Sequence, residues 1–136
     1  MTLGIGTILC PVNLRHAALS SRGFDFALHE ARSYGADLVV VTVAPEIERN
    51  LNIYDSRTYW GGKLSEFLAA NPAGGVTLRS EVLIGAVHRQ IVRYAIEQKV
   101  DLIVMEAANP RITDYLLGTT ASHVVTHAEC GVFVVR

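Results

Sequence analysis

The sequence predicts a single α/β domain built on a doubly wound, five-stranded parallel sheet with helices on both faces. Two observations carry this prediction. Short β-branched runs alternate along the chain with stretches of helical periodicity, which is typical of a parallel sheet joined by helical crossovers. The length of 136 residues, half of them hydrophobic and 18% charged, is that of one folded domain, so we treat residues 1–136 as a single unit.

Five runs are predicted to be strands. Four of them are apolar on both faces, as expected of strands covered by helices on each side, and they span residues 7–12, 38–43, 102–105 and 132–135. Residues 76–83 differ, because Thr77, Arg79 and Glu81 alternate with apolar residues. One face of this run is therefore expected to be wet, which predicts an edge strand.

The stretches between these runs have helical spacing. The apolar stripes consist of Phe24, Ala27, Leu28 and Ala31; of Trp60, Leu64, Phe67 and Leu68; of Val87, Ile91, Tyr94 and Ala95; and of Ala121, Val124, Val125 and Ala128. Gly35 stands where the first helix should end, and Thr119 or Thr120 could cap the last one. The second stripe contains Gly61 and Gly62, which weaken a helix, and residues 45–57 before it are predicted to be a loop that covers a site or a partner surface.

In such sheets, ligands bind beyond the carboxyl ends of the strands, at the point where the strand order reverses. The first strand is the usual place for that reversal. Pro11, Val12 and Asn13 are therefore candidate site residues, together with those that follow Met105.

Composition argues against several partners. The net charge is −1 and the basic residues are scattered, so a nucleic-acid partner is not expected. No apolar run is long enough to span a membrane and the first six residues lack a signal-peptide pattern, so we expect a cytoplasmic protein. Cys10 and Cys130 lie in or beside apolar runs and are expected to be free thiols without redox chemistry.

Several motifs resemble those of the universal stress proteins. They are ILCPVN at 8–13, DLIVM at 101–105, LLGTTA at 116–121 and VTHAEC at 125–130. Residues 110–118 are similar to a bacterial branch in which a proline precedes a "YLLGS" element. The resemblance covers nearly the whole chain except about residues 45–75, and it implies strand order 3-2-1-4-5, a homodimer and, in many members, an ATP site of the form G-x-x-G, nine residues, then G-S/T.

The chain departs from that nucleotide pattern. The aligned positions are Glu106, Asn109, a spacer of eight residues and then Gly118 with Thr119, so only the last glycine and its hydroxyl remain. Asn13 replaces the acidic residue that is common after "PV" in the family. ATP or AMP is the possible ligand, and ATP is expected to bind weakly or not at all, because glycines let backbone N–H groups approach phosphate oxygens and the Glu106 carboxylate would repel them.

The candidate residues fall into two groups. The nucleotide-binding candidates are Pro11, Val12, Asn13, Val43, Met105, Asn109, Gly118, Thr119 and Thr120. The homodimer interface is predicted at the C-terminal strand, which is uncharged, β-prone and expected at a sheet edge: Val132, Phe133, Val134 and Val135.

Two interpretations of the Gly118 region stay open, an anion cradle at a helix amino end or a turn glycine followed by an ordinary N-cap. His123 and His127 have the spacing of two metal ligands but lack a third, so no metal is expected. His88 is treated as isolated and Ser21 as a helical residue. No catalytic residue is assigned, since no nucleophile-elbow motif occurs.

The functional expectation is a homodimeric binding or signalling protein of the stress response, with a degenerate nucleotide site and an unknown protein partner. The alternative is an ATP- or AMP-binding universal stress protein with slow ATPase or nucleotidyl-transfer activity.

Overall fold

The computed structural model describes residues 4–15, 21–107 and 118–136, and in them strands and helices alternate as predicted. A short 3-10 turn, Arg49–Leu51, lies in the predicted loop. The other elements are β1 (Thr7–Pro11), α1 (Arg22–Tyr34), β2 (Asp37–Ala44), α2 (Ser56–Ala70), β3 (Leu78–Ile84), α3 (Val87–Glu97), β4 (Leu102–Glu106), α4 (Thr119–His127) and β5 (Gly131–Val135).

The strands form one parallel sheet in the order β3-β2-β1-β4-β5, which confirms the predicted fold class and strand order. From β1 the chain runs outward through β2 to β3. Helix α3 then carries it back past β1 to β4, and from there it runs the other way to β5. The direction therefore reverses between β1 and β4, which places the expected ligand crevice at their carboxyl ends.

Helices cover both faces of the sheet. Phe24 of α1 and Phe67 of α2 pack on one face and meet edge to face, with ring centroids 5.3 Å apart. Ile91 of α3 and Val124 of α4 pack on the opposite face. Residues 8–10 and 38–41 are 0% exposed, so the central strands are buried on both sides, as their apolar sequences predict.

The edge strand β3 and the helix boundaries depend on local sequence signals. Residues 79–81 of β3 are exposed, which confirms the predicted wet face. Gly35 ends α1 in the left-handed conformation, with φ of 64°, as its position predicted. The interpretation of Ser21 as a helical residue is wrong, because it is the N-cap of α1.

Helix α2 forms in spite of its two glycines. It begins at Ser56, so the predicted loop ends before residue 57, and it contains Gly61 and Gly62 in its interior. Trp60 and Leu64 on the same helix are buried. Burial of these large side chains outweighs a helix-propensity cost of about 1 kcal/mol for each glycine.

Candidate functional site

Two helices begin at the carboxyl edge of the sheet, one after each strand of the reversal point. Strands β1 and β4 are direct neighbours, with Ile8 opposite Leu102 and Leu9 opposite Ile103. Helix α1 follows β1 and helix α4 follows β4. The first N–H groups of a helix lack partners within the helix, so both amino ends could receive an anion.

The amino end of α1 is filled by the chain itself. The hydroxyl of Ser21 accepts a hydrogen bond of 3.1 Å from the Phe24 N–H, and the Glu106 carboxylate at the end of β4 accepts one of 2.9 Å from the Gly23 N–H. A Cβ added at Gly23 would lie 2.8 Å from Cγ of Glu106. Glycine at position 23 is therefore what allows this close approach.

The Glu106 contact refines the role expected from the sequence. Its carboxylate was expected to lie beside bound phosphates, and the structure directs one of its oxygens to α1 instead. Glu106 also acts on its neighbour on β1, because burial first and the Glu106 charge second raise the pKa of the Cys10 thiol. The buried Cys10 thiol therefore stays protonated, and both Cys10 and Cys130 are free, as the sequence predicted.

The amino end of α4 differs, because its N-cap residue is Gly118 and no side chain makes the cap hydrogen bond. The prediction that Thr119 or Thr120 caps this helix is wrong, since both lie within it. The interpretation of a turn glycine followed by a threonine N-cap is therefore wrong, and the anion cradle stays a prediction. Among the described residues, this end of the helix has backbone N–H groups without a capping side chain.

The segment after β1 forms a turn at the same edge. The N–H of Val12 donates to the Val41 carbonyl across a distance of 2.8 Å, which extends the pairing of β1 with β2. Asn13 is exposed, and its side-chain oxygen accepts a hydrogen bond of 3.1 Å from the Arg15 N–H. Asn13 thus shapes the turn while its amide group faces solvent.

The side chains of the remaining nucleotide-binding candidates differ in how far they are exposed. Pro11 and Val43, near the ends of β1 and β2, are half-buried, whereas Val12 and Met105 are only 6% and 4% exposed. A ligand at this edge can therefore reach the side chains of Pro11 and Val43, and it meets mainly backbone at the other two. Asn109 lies outside the described residues.

Sequence reasoning missed a polar cluster of Arg15, Glu48 and Trp60. The Glu48 carboxylate accepts hydrogen bonds of 2.6 Å from Arg15 and 2.8 Å from the Trp60 indole, and the guanidinium lies 4.4 Å from the Trp60 ring centroid. These bonds, with that of Arg15 contributing most, lower the pKa of Glu48. An open cavity of about 660 Å³ borders the cluster, lined by Arg15 and residues 47–51. Periodicity could not reveal it, because Arg15 and Glu48 lie in separate loops.

The predicted interface strand β5 lies at the edge of the sheet and pairs only with β4 among the described residues. Val132, Phe133 and Val134 are half-buried, and Phe133 packs 5.4 Å from the Phe26 ring. Val135 is 4% exposed, so it contributes to the core and offers no side chain to a partner.

Across residues 4–15, 21–107 and 118–136, no cluster of three or more His, Cys, Asp or Glu side chains is arranged to hold a metal ion. In the same ranges no helix combines the length and apolar character needed to cross a membrane. The interpretation of His88 as isolated is wrong, because its ring lies 4.2 Å from that of His123.

Comparisons with known proteins agree with this architecture. The universal stress protein UspA from Lactobacillus plantarum has the same fold, with a TM-score of 0.77 and 22% identity over 99% of this chain and 100% of that one. A universal stress protein from Archaeoglobus fulgidus, solved in complex with dAMP, has a TM-score of 0.66 and 20% identity over 96% of this chain and 98% of its own.

Sequence comparisons identify the family. Universal stress protein G of Shigella flexneri is 37% identical over 59 residues, which are 43% of this chain and 42% of that protein, so the match spans less than half of the relative. The model of the universal stress protein family matches residues 4–136. That match covers nearly the whole chain, and the protein therefore belongs to the universal stress protein family.

Proposed function

We propose that this protein is a homodimeric ligand-binding module of the stress response that takes an adenine nucleotide at the carboxyl edge between β1 and β4. The observation that carries the proposal is the amino end of α4, where the N-cap is Gly118 and, among the described residues, no side chain caps the backbone N–H groups. These groups and the helix dipole favour a phosphate. The dAMP complex of the Archaeoglobus fulgidus relative supports adenine as the base.

The contacts that we propose for the ligand follow from which of the candidate side chains are exposed. The phosphate lies at Gly118 and Thr119, at the start of α4. The base and ribose lie against Pro11, Asn13 and Val43, the accessible candidates after β1 and on β2. The exposed Asn13 amide can still donate to a ring nitrogen or a ribose hydroxyl while its oxygen holds the turn.

The Glu106 carboxylate limits how much negative charge this edge can accept. It is anchored on Gly23 at the end of β4, the strand that leads toward α4. Each further phosphate adds repulsion with this fixed charge. We therefore propose that the protein prefers adenosine monophosphates to ATP and that it binds its ligand without turning it over.

Calorimetric titration with adenosine, AMP and ATP tests this proposal. Glu106→Gln keeps an acceptor for the Gly23 N–H and removes the charge, so AMP and ATP should bind several-fold more tightly while adenosine is unaffected. Glu66→Gln, a change at an exposed glutamate on α2, is the matched control and should alter none of the three affinities.

Two results would contradict the proposal. If the protein bound none of the three compounds, an adenine nucleotide would be ruled out as its ligand. Tight binding of ATP, with ADP formed in the presence of magnesium, would favour the alternative of a slow ATPase.

The proposed homodimer is formed through β5, because the outer edge of this strand is uncharged and suited to pairing with a second copy. Val134→Lys should shift the protein from dimer to monomer in analytical ultracentrifugation, while circular dichroism shows that it remains folded. Ser80→Lys introduces the same charge on β3 at the opposite edge and should leave the dimer intact. A dimer that survives Val134→Lys would place the interface elsewhere.

A further inference from the structure

Three histidine rings form a row across the contact between α3 and α4. His88 lies in the first turn of α3, and its ring stacks on that of His123 with centroids 4.2 Å apart and planes inclined by 17°. His127, one turn further along α4, continues the row at 6.3 Å and 11°. We call these side chains the histidine row.

The surroundings of the row disfavour positive charge. Burial first, and then His123, Arg89 and His127, lower the pKa of His88 from its ordinary value of 6.5. The position of His88 adds to this, because it is the second residue of α3 and the N-cap, Ala86, provides no side-chain hydrogen bond. A cation at a helix amino end opposes the helix dipole.

Within the described residues, no ion pair joins a carboxylate to a ring of the row. The groups that face His88 are Arg89 from its own helix and the two imidazoles from α4, all of them cationic or able to become so. The one ion pair that a histidine forms among residues 4–15, 21–107 and 118–136 lies elsewhere, between His29 and Glu30 on α1. A proton taken up by His88 is therefore repelled by Arg89 and gains no ion-pair partner among the described residues.

We propose that the histidine row is a pH-sensitive contact that holds α4 against α3. The His88 ring stacks on His123 while it is neutral, and protonation of His88 sets its charge against Arg89 and the α4 rings and loosens α4. Because α4 begins at the candidate phosphate site, the loosening would reach Thr119. The proposal concerns the packing of two helices and does not rest on nucleotide binding.

The sign of the pH effect follows from proton linkage. His88 holds a proton less strongly in the folded chain than in the unfolded chain. As the pH falls through 6.5, the unfolded chain therefore takes up more protons than the folded one. The contribution of His88 to the free energy of unfolding should be fully present above pH 6.5 and should be lost as the pH falls below it.

Thermal unfolding at about pH 7.5 and about pH 5.5 tests the proposal. The unmodified protein and the control His29→Gln, which changes an exposed histidine on α1, should lose several degrees of melting temperature on acidification. His88→Gln and His123→Gln should lose clearly less, because each removes one member of the stacked pair. An equal loss in all four proteins would overturn the proposal.

A second measurement on the unmodified protein keeps the test decisive if a variant fails to fold. In an NMR titration, the His88 ring should protonate at a pH below the ordinary histidine value of 6.5. Hydrogen-exchange protection factors of α4 should decrease over the same pH range, while those of α1 stay constant. A His88 midpoint at or above 6.5, or uniform loss of protection in both helices, would contradict the proposal.

Discussion

The amino ends of α1 and α4 start from the same position in the fold and differ in what occupies them. Each helix follows a central strand of the reversal point and begins at the carboxyl edge of the sheet. At α1, Ser21 and Glu106 accept hydrogen bonds from the first turn. At α4, the N-cap is Gly118, and no side chain in the described parts of the chain caps the first turn.

This difference is the reason that we propose the ligand site at α4 and not at α1, where the chain provides the acceptors itself. The carboxylate of Glu106 satisfies a helix from which it is separated by 83 positions in sequence. It does so at the amino end of α1, and we propose that its charge also limits how many phosphates a ligand at α4 can carry. One glutamate can therefore stabilise the fold and restrict the ligand.

The largest effect is expected from Gly23→Ala. Alanine usually stabilises a helix, but here its methyl group would lie 2.8 Å from Cγ of Glu106 and displace the carboxylate from α1. We expect a loss of about 1–3 kcal/mol in the free energy of unfolding, measured in urea, which is typical of overpacking.

Gly62→Ala on α2 is the matched control for this change. Its added Cβ has no neighbour within 4 Å, so it should stabilise the protein by about 0.5–1 kcal/mol. Equal gains from both alanines would show that Glu106 is not a fixed occupant of the α1 end, and the contrast between the two helices would fail.

A smaller loss is expected from Ser21→Ala, which removes the acceptor for the Phe24 N–H. Loss of an N-cap serine typically costs about 1 kcal/mol in the free energy of unfolding. Ser122→Ala, at an exposed position inside α4, should change stability little, since alanine is the better helix former. If both changes had the same effect, the cap at Ser21 would not contribute as the geometry indicates.

The smallest effect on stability is expected from Gly118→Ser, which would give α4 the cap that α1 already has. The backbone at this position, with φ of −61° and ψ of 159°, suits serine without strain. Stability should rise by only a few tenths of a kcal/mol. The AMP affinity measured by calorimetry should decrease, because the new hydroxyl competes with phosphate for the same N–H groups. An unchanged affinity would place the phosphate away from α4.

The sequence by itself determined the fold class, the edge position of β3 and the C-cap at Gly35. These features depend on signals that lie within a few residues of one another. Runs apolar on both faces, such as residues 38–43, must be covered on both sides, and an alternating run such as residues 76–83 leaves one side in water. The motifs after β1 and β4 also predicted a candidate site at the carboxyl edge of the sheet, where the strand order reverses.

Only the tertiary structure decided which side chains meet at that edge and on the helices behind it. Glu106 reaches Gly23, Glu48 joins Arg15 to Trp60, and His88 stacks on His123 across wide separations in sequence. Hydrophobic periodicity determines which face of an element is buried, but it contains no information on the contacts between polar side chains of different elements. Those contacts depend on the distances that the strand order and helix packing impose, and they become visible only once the chain is folded.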